Sequence, residues 1–413
     1  MNKRKIKLKK KPIIILLVLI IGIIFLIKSC TSTKEKDSYT PKQTTFLKDF
    51  KNISGLSIND EIKNKIISYF DLYFLTMKEL NEYNFTYLFS PSAQNEANLT
   101  QMAMNYFVRY RLLQRNDLKL KDGNYTLTIK EIKNNDDLIT ITILEDSKVT
   151  FNFMDDIESV TQGVKNIFTF NANNELVKVE KAADFYNIIT DYYKITKDET
   201  ETKKDLIELV NNALEKVEKS VENEKLYYES YLENKGITTK KCDHSYDHNS
   251  AYIYLEKYAL TRNSDYFDFA VYGGNCQNYA SQVIYAGGIP MDVTGNYKWK
   301  YYGSLVDETT AEKGRTPSWT GVSYFYSYAR NNTGAGLCSV TDVNYFYAEK
   351  GDIMQVGANN SYVHTIVVSG LVEKDGKIVD VLTTSNSTDR QNYPLSAYNY
   401  ADKKLIKILG WNE

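Results

Sequence analysis

Alternation of apolar and polar side chains in the middle of the chain constrains the fold most strongly. A period of two puts every second side chain on the same face of a strand, and turn-forming residues separate the alternating segments. Stretches with helical spacing precede them, at about 58–80 and at 98–114. Helices followed by a run of antiparallel strands predict an α+β fold. The alternating segments are 125–132, 138–146, 148–155, 166–174 and 175–182.

This order of long helices and a curved antiparallel sheet resembles the cone-shaped fold of nuclear-transport-factor-like accessory domains. The likeness is one of architecture, and it predicts a binding or spacer module over residues 46–197. Residues 198–241 follow, rich in charge and with helical spacing. They predict either a solvated linker helix or a helix that binds a specific partner.

The segment 1–30 combines a basic block at 2–11 with an uncharged apolar run at 13–27. Lysines flank the run and can snorkel, so it predicts a membrane anchor with a cytoplasmic N-terminus. Alternatively, the residues that end at Cys30 loosely resemble a lipobox, with Cys30 acylated. Under both interpretations residues 31–45 are a polar spacer, and the remainder of the chain lies outside the cell.

Length and charge narrow the possible functions. A chain of 413 residues is too long for one ordinary core, so we expect two domains with linkers. The 51 basic and 52 acidic residues nearly cancel, which argues against a nucleic-acid partner. No phosphate-binding glycine loop occurs, and we expect no cofactor. The oligomeric state does not follow from the sequence.

Cysteines are scarce, with four in the whole chain. If Cys30 belongs to the anchor, Cys242, Cys276 and Cys338 remain. In an exported protein Cys242 and Cys338 can form a disulfide, which leaves Cys276 free. Two unpaired buried thiols are the alternative.

Cys276 stands between two pairs of glycines, 273–274 and 287–288, that bracket a predicted helix of about three turns. The first turn of a helix has unpaired N–H groups and the positive end of the helix dipole. These favour a thiolate and can stabilise an oxyanion, so Cys276 is a candidate nucleophile. A buried structural cysteine is the alternative.

His364 is one of three histidines in the chain and the candidate base. Residues 351–370 predict a strand, a turn and a second strand that His364 enters. A third group should hold the imidazole in one tautomer. The next predicted strand, 379–390, supplies Asn386 for that role and Asp389 as the alternative. Both residues are also common in turns.

The C-terminal region contains eight short blocks in a definite order, at 246–248, 274–282, 286–288, 318–319, 351–355, 364–367, 387–390 and 394–396. Together they resemble an amidase domain family of Gram-positive bacteria, a papain-like group related to the CHAP amidases. The resemblance spans residues 246–396 and implies a papain-like α+β domain over about 242–413. It implies Cys276 as the nucleophile, His364 as general base and then acid, and Asn386 as the orienting group.

The chain departs from the family pattern beside the nucleophile. Asn275 replaces an acid, Gln277 replaces a threonine, and Asn386 stands where the family often has histidine. We place Asn275, Gln277 and Asp389 in the substrate cleft. Ser318 and Trp319 are also cleft candidates, although a structural tryptophan is the alternative.

Together these features predict a cell-surface cysteine amidase or peptidase that hydrolyses amide bonds, with peptidoglycan as its substrate. The alternative is a catalytically inactive wall-binding module tethered to the membrane. A third possibility is a zinc site formed by Cys242, His244 and His248. A linker that ends in a helix cap at Asp247 or Asn249 explains the same segment, and we predict no metal.

Overall fold

The computed structural model describes residues 45–53, 55–154, 156–181, 199–233, 236–294, 298–303 and 314–413. These residues lie in one compact unit, Thr44–Glu413. The predicted anchor, Cys30 and residues 31–44 of the spacer lie outside the described residues. In the described part, no helix combines the length and hydrophobicity that a membrane span needs.

Seven helices occur in the described residues, and local signals explain where they begin. Asn59 caps the first helix, because its side chain accepts a hydrogen bond from the backbone N–H of Ile62, and acidic residues occupy the first turn. The two predicted N-terminal helices are confirmed within a few residues. The helices are α1 (Asp60–Glu79), α2 (Gln94–Gln114), α3 (Glu199–Leu232), α4 (His248–Tyr258), α5 (Cys276–Ala286), α6 (Pro317–Thr320) and α7 (Val322–Asn331).

The described residues also form twelve strands. They are β1 (Leu47–Asn52), β2 (Leu120–Asn135), β3 (Leu138–Phe151), β4 (Ser159–Asn171), β5 (Leu176–Lys181), β6 (His244–Ser245), β7 (Gly336–Val343), β8 (Ile353–Ala358), β9 (Ser361–Lys374), β10 (Lys377–Ser385), β11 (Asp389–Pro394) and β12 (Asp402–Asn412).

One difference from the prediction concerns β3. The alternating segments 138–146 and 148–155 are not two strands, because most of their residues form the single long strand β3. Ser147 between them remains paired with Tyr125 of β2 and Thr161 of β4. The register shifts beside Ser147, which is the mark of a bulge. A bulge bends a strand without ending it, and its polar residues resemble a turn in sequence.

All twelve strands of the described residues belong to one mixed sheet in the order β1-β2-β3-β4-β11-β10-β9-β8-β12-β6, with β5 on β4 and β7 on β12. The strands β1 and β2 are parallel, and the other pairs are antiparallel. The α+β prediction is therefore confirmed. Pairing of β11 with β4 joins the N-terminal strands to the C-terminal ones. The predicted domain boundaries stay a prediction.

The helix α3 packs against α2 and against the 3-10 turn Tyr345–Tyr347 instead of lying free in solvent. Leu206, Val210 and Val217 are buried in the core that α1 and α2 form with the N-terminal strands. Further along α3, Tyr228 packs edge-on against Phe346, with 5.0 Å between ring centroids. Burial of these apolar side chains stabilises the helix beyond its own propensity.

A separate core lies under the C-terminal helices. It packs α4, α5 and α7 against β7, β8, β9 and β12, and Ala280, Ile284 and Val367 are fully buried there. This packing fixes the direction of α5 relative to β9. The position of Cys276 relative to His364 follows from it.

Candidate active site

Glycines define the start and the end of α5. Gly273 has φ of +107° and closes the short 3-10 turn Phe269–Tyr272. A Cβ on Gly287 would lie 2.1 Å from a ring carbon of Tyr246, so only glycine allows this approach. The predicted helix that begins at Cys276 is confirmed.

Cys276 is a free cysteine and only 8% exposed. Burial raises the pKa of its thiol above the ordinary value, and hydrogen bonds from the backbone N–H groups of Thr365 and Gln277 oppose that change. We predicted a lowered pKa from the helix terminus. The direction is the opposite, because removal of the sulfur from water outweighs the nearby donors.

A testable consequence concerns alkylation of Cys276. Because the pKa is raised, we expect iodoacetamide to modify this thiol slowly near pH 7. The rate should grow by about tenfold for each pH unit below the pKa, since the thiolate is the reactive form. Mass spectrometry of the Cys276 peptide from native protein at several pH values measures this. An alkylation rate that does not change with pH below pH 7 would contradict this expectation. It would indicate that Cys276 is a thiolate paired with the His364 imidazolium.

The structure brings Cys276 and His364 together. Both line a cavity of about 250 Å³. His364 lies on β9 and is half-buried, and its ring centroid is 6.1 Å from that of Tyr398. A nucleophile and a base that line one cavity are what acyl transfer requires.

Asn386 occupies a different place. Its amide nitrogen donates to the backbone carbonyls of Tyr258 and Thr261, at 3.2 and 3.1 Å. Its amide oxygen accepts from Nδ2 of Asn275 at 2.6 Å. Asn386 therefore anchors the residue before the nucleophile and does not line the cavity of Cys276 and His364. Its role in orienting His364 stays a prediction.

Asp389, the alternative orienting group, forms an ion pair. It accepts from Nη1 of Arg262 at 2.8 Å, and Nε of the same guanidinium bonds Asp268 at 3.1 Å. Burial raises the pKa of Asp389, and Arg262 opposes that rise. These contacts tie β11 to the segment that follows α4.

Asn275 and Gln277, the two neighbours of the nucleophile in the chain, are buried and form hydrogen bonds with other buried side chains. Oδ1 of Asn275 accepts from Nδ2 of Asn278 at 2.8 Å. Oε1 of Gln277 accepts from the hydroxyl of Thr365 at 2.9 Å. Thr365 follows His364 directly, so Gln277 links the first turn of α5 to the strand that carries the histidine. Neither side chain lines the cavity of the cysteine.

Ser318 and Trp319 also lie away from this cavity. Trp319 is fully buried, and its indole N–H donates to Asn278 at 2.8 Å. The hydroxyl of Ser318 donates to the backbone carbonyl of Lys298. These contacts support the structural interpretation of the tryptophan.

Besides the two glycines before α5, the cavity is lined by five residues that sequence reasoning did not place in the site. They are Val363, Ser387, Thr388, Arg390 and Tyr400. The hydroxyl of Ser387 accepts from the backbone N–H of Asn275, and Thr388 has φ of +72°. The 387–390 block was recognised as a family motif, but its position beside the cysteine depends on the β10–β11 turn.

The segment 242–248 does not assemble a metal site. Cys242 is bonded to Cys338 in a disulfide, so its sulfur is not a ligand. His244 stacks on Trp411 with 3.9 Å between centroids. Nδ1 of His248 lies 2.7 Å from the carbonyl of Lys350. Among the described residues no three His, Cys, Asp or Glu side chains form a ligand group.

The helix cap predicted in that segment is confirmed. The carboxylate of Asp247 accepts hydrogen bonds from the backbone N–H groups of Asn249 and Ser250, each at 3.0 Å. Asp247 thus satisfies two of the unpaired donors at the start of α4. The linker interpretation accounts for these residues.

Comparison with known proteins gives one match. A family model described as "Putative amidase domain" matches residues 245–409, which is less than half of the chain. The matched segment contains Cys276, His364 and Asn386. No curated protein and no solved structure matches the chain. The match supports an amide-bond hydrolase for the C-terminal region.

Proposed function

We propose that the C-terminal region hydrolyses amide bonds by a thiol mechanism, with Cys276 as nucleophile and His364 as base and acid. One observation carries the proposal: the first residue of a buried helix and the only histidine of β9 line the same cavity. The family match at residues 245–409 supports the reaction class. The order of a cysteine-bearing helix before a histidine-bearing sheet supports a papain-like arrangement.

The raised pKa of the thiol sets the order of proton transfers. Cys276 enters the reaction as a thiol, so His364 takes its proton as the sulfur attacks the carbonyl carbon. The carbonyl oxygen becomes an oxyanion, which N–H groups in the first turn of α5 stabilise. His364 then protonates the leaving amine, and the C–N bond breaks. A water molecule, deprotonated by His364, releases the acid and restores the thiol.

The side chains behind the dyad supply rigidity. Asn386 holds Asn275, and Gln277 holds Thr365, so hydrogen bonds fix the backbone on both sides of Cys276. A displacement of about 1 Å at a reacting atom can lower a rate by roughly 100-fold. We infer that these amides are positioning residues for the reaction.

Peptidoglycan is the substrate that we propose, with the protein held at the outer face of the membrane. The disulfide between Cys242 and Cys338 supports an oxidising, extracytoplasmic location. The basic block 2–11 and the apolar run 13–27 support a membrane tether, by a retained anchor or through Cys30. Wall peptide is then the abundant amide within reach.

The test is release of amino groups from purified Gram-positive peptidoglycan, with casein as a parallel substrate. We expect release from the wall and its loss after iodoacetamide treatment at alkaline pH. Release from casein alone would retain the thiol mechanism and reject the wall as substrate. Absence of release from both substrates would overturn the proposed activity.

A wall-binding module without catalysis is the second candidate. The burial of Cys276 and the raised pKa of its thiol favour it, because a reactive cysteine more often has a lowered pKa. Cosedimentation with peptidoglycan, without release of amino groups, would support this candidate. Release of amino groups would reject it.

A further inference from the structure

A second cavity lies in the N-terminal part of the sheet, remote in sequence from the cysteine. It has a volume of about 90 Å³ and is lined by α1, α2, β3 and β11 among other elements. We call it the inner cavity. Its walls combine aromatic and aliphatic side chains with polar ones, and its charged members are Arg111, Glu145, Lys181 and Arg390.

Two of these charges neutralise each other. Nζ of Lys181 lies 3.0 Å from Oε2 of Glu145, and both side chains are 5% exposed. The ammonium group also lies 4.0 Å from the ring centroid of Tyr73. The lysine and the glutamate therefore leave no net charge in the cavity.

Unlike Lys181 and Glu145, Arg111 has no ionic partner among the described residues. Its residue is 7% exposed, and the buried Nη1 atom has no hydrogen-bond partner among the described residues. No carboxylate of those residues forms an ion pair with its guanidinium, which lies 5.6 Å from the ring of Phe151. A buried charge without an ionic partner is costly for a folded protein. The cost suggests a partner that lies outside the described residues.

We propose that the inner cavity binds the carboxylate of a small molecule or of a peptide end, with Arg111 as its anchor. A guanidinium matches the two oxygens of a carboxylate in a planar fork. The cavity holds only a few non-hydrogen atoms beside the charged group. The aliphatic and aromatic members of the wall suit a short aliphatic part of the ligand. The Glu145 carboxylate in the same wall disfavours a phosphate dianion more than a single negative charge.

The inner cavity also borders the candidate active site. Arg390 lines both this cavity and the cavity shared by Cys276 and His364. Its guanidinium lies 4.4 Å from the ring of Tyr393, on the same strand. A bound carboxylate would thus add its charge next to a residue of the catalytic cavity. The binding proposal rests on Arg111 and does not depend on the proposed hydrolysis.

Thermal unfolding of the full-length protein tests the site. The probes are acetate, propionate, the dipeptide Ala-Ala and inorganic phosphate, with sodium chloride used to keep ionic strength constant. We expect a saturable rise in Tm with a carboxylate probe, because ligands that bind only the native state stabilise it. A rise with acetate or propionate assigns a free small acid, and a rise with Ala-Ala alone assigns a peptide end. A rise in Tm with phosphate alone overturns the proposal. The same holds if none of the probes raises Tm.

Variants identify the residue responsible. Arg111→Met keeps the length of the side chain and removes its charge, so carboxylate affinity should fall by about tenfold or more. Its Tm without ligand should equal or exceed that of the wild type, because an unpaired buried charge is removed. Arg109→Met on the exposed side of α2 is the matched control and should bind normally. Retention of the ligand-induced rise in Arg111→Met would overturn the proposal.

Arg111→Lys covers the case in which the methionine variant does not fold. It keeps the positive charge and loses the planar fork. We expect it to fold and to bind the carboxylate probes several-fold more weakly than the wild type. Equal affinity in Arg111→Lys and the wild type would overturn the assignment of the guanidinium as the anchor.

Discussion

Replacing Cys276 by alanine is expected to abolish release of amino groups, with a loss of about 1,000-fold or more in rate, because no other group can form the acyl intermediate. The substitution removes one buried sulfur atom. The free energy of unfolding should therefore fall by only about 1 kcal/mol. Initial rates of amine release and the unfolding midpoint, measured on the same preparations, separate these two effects.

The matched control is Val363→Ala. Val363 lines the same cavity, precedes His364 directly and is 56% exposed, so its truncation changes the cavity wall without removing a reacting group. We expect its rate to stay within a few-fold of the wild-type rate. Cys276→Ser should behave like Cys276→Ala, since a serine hydroxyl in this position is a far weaker nucleophile. Wild-type rates in Cys276→Ala would exclude the thiol mechanism.

The parts of the site that the sequence predicted depend on local signals. Glycines at 273–274 and 287–288 fixed the limits of α5, and the position of Cys276 in its first turn followed. The apolar run after His364 likewise marked β9. Helix ends and buried strands are determined largely by neighbouring residues, so a single sequence suffices for them.

The parts that it did not predict depend on distant contacts. Pairing of β4 with β11 joins residues far apart in the chain, and no turn or periodicity encodes it. The partners of Asn386 lie on α4, the following loop and the residue before α5. The direction in which the pKa of Cys276 changes depends on burial, and only the assembled core determines how buried the thiol is.

Asn386 illustrates how one amide side chain can be suited to two different roles. Its amide can accept a hydrogen bond from an imidazole, which made it a candidate orienting group. In the structure the amide oxygen accepts a hydrogen bond from Asn275, and the amide nitrogen donates to two backbone carbonyls. An anchor of this kind affects catalysis through the position of the nucleophile.

Asn386→Ala should therefore cost both stability and activity. The change leaves Nδ2 of Asn275 and the carbonyls of Tyr258 and Thr261 without their partner in a buried site. Each unsatisfied buried group costs about 1–3 kcal/mol, so we expect a loss of about 2–4 kcal/mol in the free energy of unfolding. Denaturant unfolding measures it, with Asn331→Ala on the exposed face of α7 as a control that should change little.

The kinetics of Asn386→Ala distinguish an anchor from an orienting group. If Asn386 is an anchor that positions Cys276, its loss should lower kcat and change the alkylation rate of the thiol. The pH at which kcat/KM changes should then stay the same. If Asn386 instead orients His364, its loss should shift that pH, because an orienting group stabilises the imidazolium. Assays well below the unfolding temperature keep the variant folded. A shifted pH profile with an unchanged free energy of unfolding would contradict the anchor role and restore Asn386 as the partner of the histidine.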